Sequence, residues 1–397
     1  MPVSSVIPIA TYGGASGAVV LWRQRGSLHM TVVLKVGVTL EHDGLAEVVS
    51  GAEVRRDESG GSPSDWVPGL GRPEVLVLGH ACAPAGTTVT SVPVRLFVGG
   101  DAPSVDKTIH AYGDRRGLRG LPQPFARIPL TWERASGGPG TDNPAGRRPD
   151  DATAPPNLVD PTDPWRAAGL APLAADSPIR RRHLRSGPPV IRAGVLELPD
   201  DLSLSYFQAA PLDQQVDRLD GDEWIVIDGM HPSYTRFQCQ LPGLRARARL
   251  SGRDSAATSV PIPLQIDRLV IDMDHLAATL TWRGHWTLDR PLPDGHQVVA
   301  GVDPQVDALA EESSQTMVVS AEELARLGDA APLPWQGPSA RRSSPGKALG
   351  GLPFGGPGRP APPPPANIDW GNDETVTVST SELGAALPFA PAPPGSP

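Results

Sequence analysis

Between Tyr112 and Gly146 the sequence is written in short phrases broken by proline and glycine. They read Tyr112-Gly-Asp-Arg-Arg116, Phe125-Ala-Arg-Ile-Pro-Leu-Thr-Trp-Glu-Arg-Ala-Ser-Gly-Gly138 and Asp142-Asn-Pro-Ala-Gly146. Proline fixes φ and removes a ladder donor, and glycine admits positive φ, so no long helix or unbroken central strand fits here. The same punctuation runs through the chain. Its 397 residues include 47 prolines and 43 glycines, well above the ordinary level of about 12% for the two together. Many short strands joined by turns are expected, and a long helical bundle is not.

The length suggests about two or three domains and permits a large core. Residues 18–40 have strand wording, above all the β-branched run Leu28-His-Met-Thr-Val-Val-Leu-Lys-Val-Gly-Val-Thr-Leu40. Glu41-His-Asp-Gly44 signals a turn, and Leu45-Ala-Glu-Val-Val49 returns as a hairpin. Val75–Leu78 and Ser91–Val98 extend the sheet, and Pro93 makes the second begin as an edge strand. From about 99 to 200 the chain is loop-dominated. Phe125, Trp132 and Trp165 within it predict loops pinned to a core, because large aromatic rings need burial. Beyond 200, Trp224–Asp228 and Thr235–Leu241 read as strands, and 264–283 as a hairpin turning on Asp274-His275. The fold class is mainly β, a sandwich-like scaffold with long ordered Pro/Gly-rich loops. One sandwich with a long insertion and two β subdomains fit residues 1–304 equally.

Residues 305–397 change character. Ala321–Arg326 could form a short helix, but the segment has too little apolar mass to offset ordering entropy, so a disordered low-complexity tail is expected. It carries a near-repeat, Thr316-Met-Val-Val-Ser-Ala-Glu-Glu-Leu324 and Thr375-Val-Thr-Val-Ser-Thr-Ser-Glu-Leu383. Three Leu-Pro-aromatic elements end in Trp335, Phe354 and Phe389, which are candidate docking anchors.

Net charge is −9, which argues against a nucleic-acid partner. The basic runs Arg180–Arg185 and Arg245–Leu250 read as solvated faces or internal ion pairs, the second as the outward side of a strand. Cys82 and Cys239 sit in apolar wording and read as buried free thiols. The N-terminus lacks a signal-peptide pattern and no apolar run could span a bilayer, so no membrane partner is expected and the cytoplasm is the expected location.

Motifs for chemistry are sparse. Phosphate-loop, Gly-x-Ser-x-Gly and His-Glu-x-x-His patterns are missing from the sequence. Asp272-Met-Asp-His275 reads as a turn rather than a metal site, and Gly137–Gly140 is a weak phosphate cradle. No cofactor or metal is expected. The loop residues Asp114, Arg115, Glu133, Arg134 and Asp142 could instead meet in a hydrolase-like cleft. Ion pairing among them, holding the loops down, is the favoured alternative.

The loop phrases, in order, carry a resemblance. Leu34–Thr39, Ser64–Pro68 with Arg72–Gly79, Gly113–Arg115, Phe125–Leu130, Glu133–Ala135 with Gly137-Gly138, Asn143–Gly146, Pro156–Leu158, Gly169–Pro172, Pro199–Asp201 before Tyr206-Phe207, Gln208-Ala-Ala-Pro-Leu-Asp-Gln-Gln215, Gly221–Glu223 and Thr281–Gly284 resemble the bacterial domain-of-unknown-function family 2169, with Arg72, Glu74 and Ser136 departing from its wording. Members are commonly encoded beside type VI secretion genes. The resemblance implies a non-enzymatic adaptor or chaperone that helps load a secreted effector onto the VgrG or PAAR spike. A structural spike component is the third reading. Candidate loop-structuring or interaction residues are Asp114, Arg115, Phe125, Trp132, Glu133, Arg134, Asp142, Asn143, Gln214 and Gln215.

Overall fold

The computed structural model describes residues 7–49, 66–100, 102–117, 120–252, 255–289, 292 and 295–303. All belong to one compact unit. The strands run in chain order as β1 (Ile9–Tyr12), β2 (Ser16–Gln24), β3 (Ser27–Thr39), β4 (Gly44–Leu45), β5 (Glu47–Val49), β6 (Glu74–Leu78), β7 (His80–Cys82), β8 (Ser91–Gly99), β9 (Pro103–Tyr112) and β10 (Arg127–Pro129). They continue as β11 (Leu158–Val159), β12 (Val190–Arg192), β13 (Val195–Glu197), β14 (Trp224–Asp228), β15 (Arg236–Gln240), β16 (Arg245–Gly252), β17 (Ser255–Ile262), β18 (Gln265–Asp272), β19 (Ala277–Leu288) and β20 (Gln297–Asp303). The fold is mainly β. The one α-helix among the described residues is the single turn Pro178–Arg181, and no helix there is long and apolar enough to cross a membrane.

The largest sheet has the order β12-β13-β2-β3-β19-β18-β6, with β5 paired to β3. The second has the order β11-β9-β8-β14-β15-β4, the third β1-β20-β16-β17, and β10 pairs with β7 alone. Strand β3 is the spine, and both its faces are covered. Met30, Val32, Leu34, Val36 and Val38 join Val94, Leu96, Ile225 and Phe237 of the second sheet in the main core. Val33 on the opposite face packs with Val20, Trp22, Leu196, Tyr206 and Phe207. Burial on two sides explains the continuous apolar wording of this strand. Each such side chain contributes roughly 1.5–3 kcal/mol.

Turn chemistry sets the register. Arg25 (φ 52°) and Gly26 (φ 77°) form the two-residue loop between β2 and β3, the positive-φ pair that matches strand twist. The β18–β19 turn falls at Asp274-His275 as read from the sequence, with the Asp272 carboxylate accepting from the N–H groups of Asp274 (3.1 Å) and His275 (3.2 Å). The β3–β5 hairpin also forms.

Four expectations need correction. Ser91–Gly99 does not extend the sheet of Glu74–Leu78 but lies inside the second sheet, between β9 and β14. Pro93 pairs only with β9, because the β14 ladder stops at Arg95, so the strand does begin at an edge. The stretch 99–200 contains a ten-residue strand, β9. Its inward set is Val105, Lys107, Ile109 and Ala111, and the lysine in that set hides the apolar alternation. Arg180 is buried rather than solvated, donating to the carbonyls of Tyr206 (3.1 Å) and Leu173 (3.3 Å). Trp165 is exposed rather than buried. The alternating arginines of β16 do face outward, and both cysteines are buried free thiols.

Candidate functional site

The loops from Gly113 to Val216 lie against the β scaffold and contain the ten loop candidates. Gly113 opens the layer. A Cβ there would sit 1.8 Å from the Gln123 carbonyl oxygen, so only glycine lets the two segments meet. Next to it, Asp114 accepts from Arg134 (3.3 Å) and from the Asn157 amide (3.0 Å). The Asn157 carbonyl oxygen accepts from Arg134 (3.1 Å) and Arg147 (3.0 Å), and its amide also donates to the Tyr112 carbonyl (3.0 Å). Among the described residues Arg115 is paired with no carboxylate. It donates to the Pro156 carbonyl at 2.7 Å and lies over the Tyr112 ring.

Phe125 forms a bridge with Val89 and packs against the main core. Trp132 is half-buried, and its indole N–H donates to the Ala171 carbonyl at 2.8 Å. Buried Asn143 donates to the carbonyls of Trp132 (2.8 Å) and Ser136 (3.1 Å). Glu133 and Asp142 are exposed, Asp142 lying 3.6 Å from Arg182. The Gly137 and Gly138 amides donate to the carbonyls of Arg147 and Asn143, so they offer no phosphate cradle. Of the five residues expected to meet in a hydrolase-like cleft, Asp114 and Arg134 pair with each other, Arg115 is held by a backbone carbonyl, and Glu133 and Asp142 are exposed.

The second half of the layer is the segment Gln208–Gln215, which covers the free edge of β6. Glu74 accepts from the backbone N–H groups of Ala209 and Ala210, each at 2.9 Å. Arg268 on β18 donates to the other Glu74 oxygen at 2.7 Å and to the Phe207 carbonyl at 3.2 Å. Gln214 is fully buried and donates to the carbonyls of Val75 (2.9 Å) and Leu170 (3.1 Å). Gln215 donates to the Ala210 carbonyl at 3.0 Å. Lys107 reaches across from the second sheet to the Gly169 carbonyl (2.6 Å), Asp213 (2.8 Å) and the Gln214 side-chain oxygen (3.0 Å). Burial pulls its ammonium below the ordinary lysine value, and Asp213 pushes back. Covering a sheet edge in this way closes it to other strands.

A second polar group lies at the β18–β19 turn. His80 sits 2.7 Å from Asp274, Arg127 donates to the same carboxylate at 2.8 Å, and Arg127 is paired across the ladder with Cys82. Burial pushes the Asp274 carboxyl up, but His80 and Arg127 outweigh it and hold the group below its ordinary value. Burial raises the Cys82 thiol, the opposite of an activated nucleophile. Among the described residues no group of three or more His, Cys, Asp or Glu side chains is placed to hold a metal ion.

Sequence reasoning missed Lys107, Glu74, Arg268 and Asn157 as organisers. Their partners lie apart in sequence; the available signal was a charged residue at an inward strand position for Lys107, Glu74 and Arg268, and the Pro156–Leu158 phrase for Asn157. The tail anchors Trp335, Phe354 and Phe389 lie outside the described residues, as does the helix expected at 321–326.

No curated protein and no solved structure matches this chain. Residues 25–283 match the family model described as uncharacterized protein conserved in bacteria (DUF2169), and those residues hold the loop layer and most of the scaffold just described. The chain belongs to that bacterial family.

Proposed function

We propose that this protein is a non-enzymatic adaptor that binds a secreted effector and brings it to the VgrG or PAAR spike of a type VI secretion system. The observation that supports this reading is how the loop layer uses its own charges. Asp114, Arg134 and Asn157 fix one loop path, and Lys107, Asp213 and Gln214 fix another. Asp114 and Arg134, two of the five side chains offered as a hydrolase-like set, are thereby engaged in holding loops, as Arg115 is through the Pro156 carbonyl. Ordered loops on a rigid β scaffold suit recognition by shape. The secretion context comes from the family resemblance in the loop phrases, and the role belongs in the bacterial cytoplasm, before firing.

Affinity capture of the full-length chain from its native cells tests the proposal. The expected result is stoichiometric recovery of a VgrG or PAAR protein or of a toxin. Recovery of neither in cells that express the secretion machinery sinks it. The full-length triple variant Trp335→Ala, Phe354→Ala, Phe389→Ala then locates the contact. Loss of the partner puts docking in the tail, and retention puts it on the loop layer.

A further inference from the structure

The third sheet carries a basic outer face in an acidic chain. Its strands β1, β20, β16 and β17 contain four charged residues, Arg245, Arg247 and Arg249 on β16 and Asp303 on β20. The arginines alternate with Ala246, Ala248 and Leu250, and all three are exposed. Ala248 and Leu250 turn inward to the main core with Val298 and Ala300 of β20. Burial of one side of the strand fixes the other as the arginine side. The Asp303 carboxylate lies 2.7 Å from Arg247, and Arg249 donates to the Ser259 hydroxyl at 2.8 Å. Arg245 has no carboxylate partner among the described residues. The flanking segments leave the face cationic. Arg253 and Asp254, between β16 and β17, balance each other, and residues 289–296 add Asp289 and Asp294 against Arg290.

Tyr12 completes the face. Its register partner on β20 is Gly301, and Gly301 is in turn the partner of Arg247 on β16. A Cβ at Gly301 would sit 2.5 Å from Tyr12 Cγ, so glycine makes room for the ring to lie on the sheet in the row of Arg247. The ring is still 42% exposed.

The sequence supplies a match for this face. Residues 360–397 contain four acids and no Lys or Arg, and three of those acids, Asp369, Asp373 and Glu374, fall within six residues that also hold Trp370. Residues 304–359, in contrast, mix six acids with five bases. Strand β20 ends at Asp303, on this same sheet, and 65 residues separate Asp303 from Asp369. Reach is no obstacle, because each residue can span up to about 3.3 Å. An exposed ion pair contributes at most about 1 kcal/mol, too little to hold a separate acidic peptide by three such pairs. Attachment to the same chain raises the effective concentration enough for a few weak pairs to suffice.

We propose that residues 369–374 of this chain dock on the outer face of the third sheet, with their carboxylates on Arg245, Arg247 and Arg249 and Trp370 against Tyr12. The inference does not depend on the adaptor reading.

The test is a spin-label distance measurement in the full-length chain. Both native cysteines are buried, so labels go on Gln297→Cys, an exposed position of β20, and on Ser379→Cys. The expected result is one short distance at low salt, lost at high salt. Arg245→Glu with Arg249→Glu is expected to abolish it, as is Asp369→Lys with Asp373→Lys, and the four changes together to restore it. Thermal unfolding checks that the arginine variant is folded; if it is not, the acid variant, which alters no described residue, decides. A broad distribution without the short distance before any charge reversal overturns the inference, and is the outcome expected if the face serves an acidic partner protein or a nucleic-acid strand instead. A short distance that survives charge reversal also overturns it. So does one that arises only between singly labelled molecules, which would make a second copy the occupant.

Discussion

The Glu74 carboxylate and the Arg268 guanidinium meet at 2.7 Å on neighbouring strands, with neither side chain exposed to solvent. The acid also caps two backbone N–H groups of the Gln208–Gln215 segment. Removing either partner strands a buried charge, so Glu74→Leu and Arg268→Met are each expected to cost about 3–5 kcal/mol. The joint replacement Glu74→Leu with Arg268→Met should cost much less than the two losses added together. Urea unfolding of the four proteins checks this, and simple additivity would show that the pair is not coupled.

Lys107 connects the second sheet to the same segment. In Lys107→Met the Gly169 carbonyl and the Gln214 side-chain oxygen lose their donor, a cost of about 1–3 kcal/mol at neutral pH. Because burial lowers this lysine in the folded state, carrying its proton opposes folding. Wild-type stability therefore rises as pH climbs through the folded value towards the unfolded value of about 10.4. The gap between wild type and variant is expected to widen over that range, measured by denaturant titration at alkaline pH.

Asp274 titrates with the opposite consequence. Its folded carboxyl is held below the ordinary value by His80 and Arg127 against the upward push of burial. The resulting stabilisation is complete above the unfolded value of about 3.9 and is lost as pH falls through the folded value. Asp274→Asn lacks it, so the variant is less stable near neutrality and the difference closes in acid. Unfolding curves between neutrality and strong acid test the sign.

Two buried threonines make a controlled contrast. Thr31 accepts from the Trp22 indole at 3.0 Å and donates to the Pro68 carbonyl at 2.7 Å. The Thr281 hydroxyl is equally buried and has no hydrogen-bond partner among the described residues. Thr31→Val should destabilise by about 1–3 kcal/mol, whereas Thr281→Val should be neutral or stabilising by about 1 kcal/mol. Thermal midpoints of the two variants moving the same way would contradict the assignment.

Elements whose side-chain period matches their surroundings were legible. β3, the β18–β19 hairpin and β14 combine β-branched runs with unambiguous turns, and all three lie where the wording puts them. β9 was obscured because Lys107 occupies an inward position, and its three acceptors come from residues 62, 106 and 107 positions away. Local pattern carries no information about such partners. Arg180 and Trp165 failed for related reasons. A carbonyl cage can bury an arginine, and a turn built on Asp160 and Asp163 can hold a tryptophan away from the core. Among the loop candidates, Asn143 and Gln214 stood out in the sequence as words of a phrase, but only the fold reveals which carbonyls they hold.

The long ladder between β3 and β19 has a consequence for biosynthesis. His29 and Thr287, opposed across it, are separated by 258 positions in the chain. At about 5–20 residues per second on the ribosome, β3 waits on the order of ten seconds or more for its second neighbour. During that interval a strand that carries apolar side chains on both faces has an open edge. The nascent chain is therefore exposed to mispairing through most of its synthesis, until β19 emerges and closes that edge.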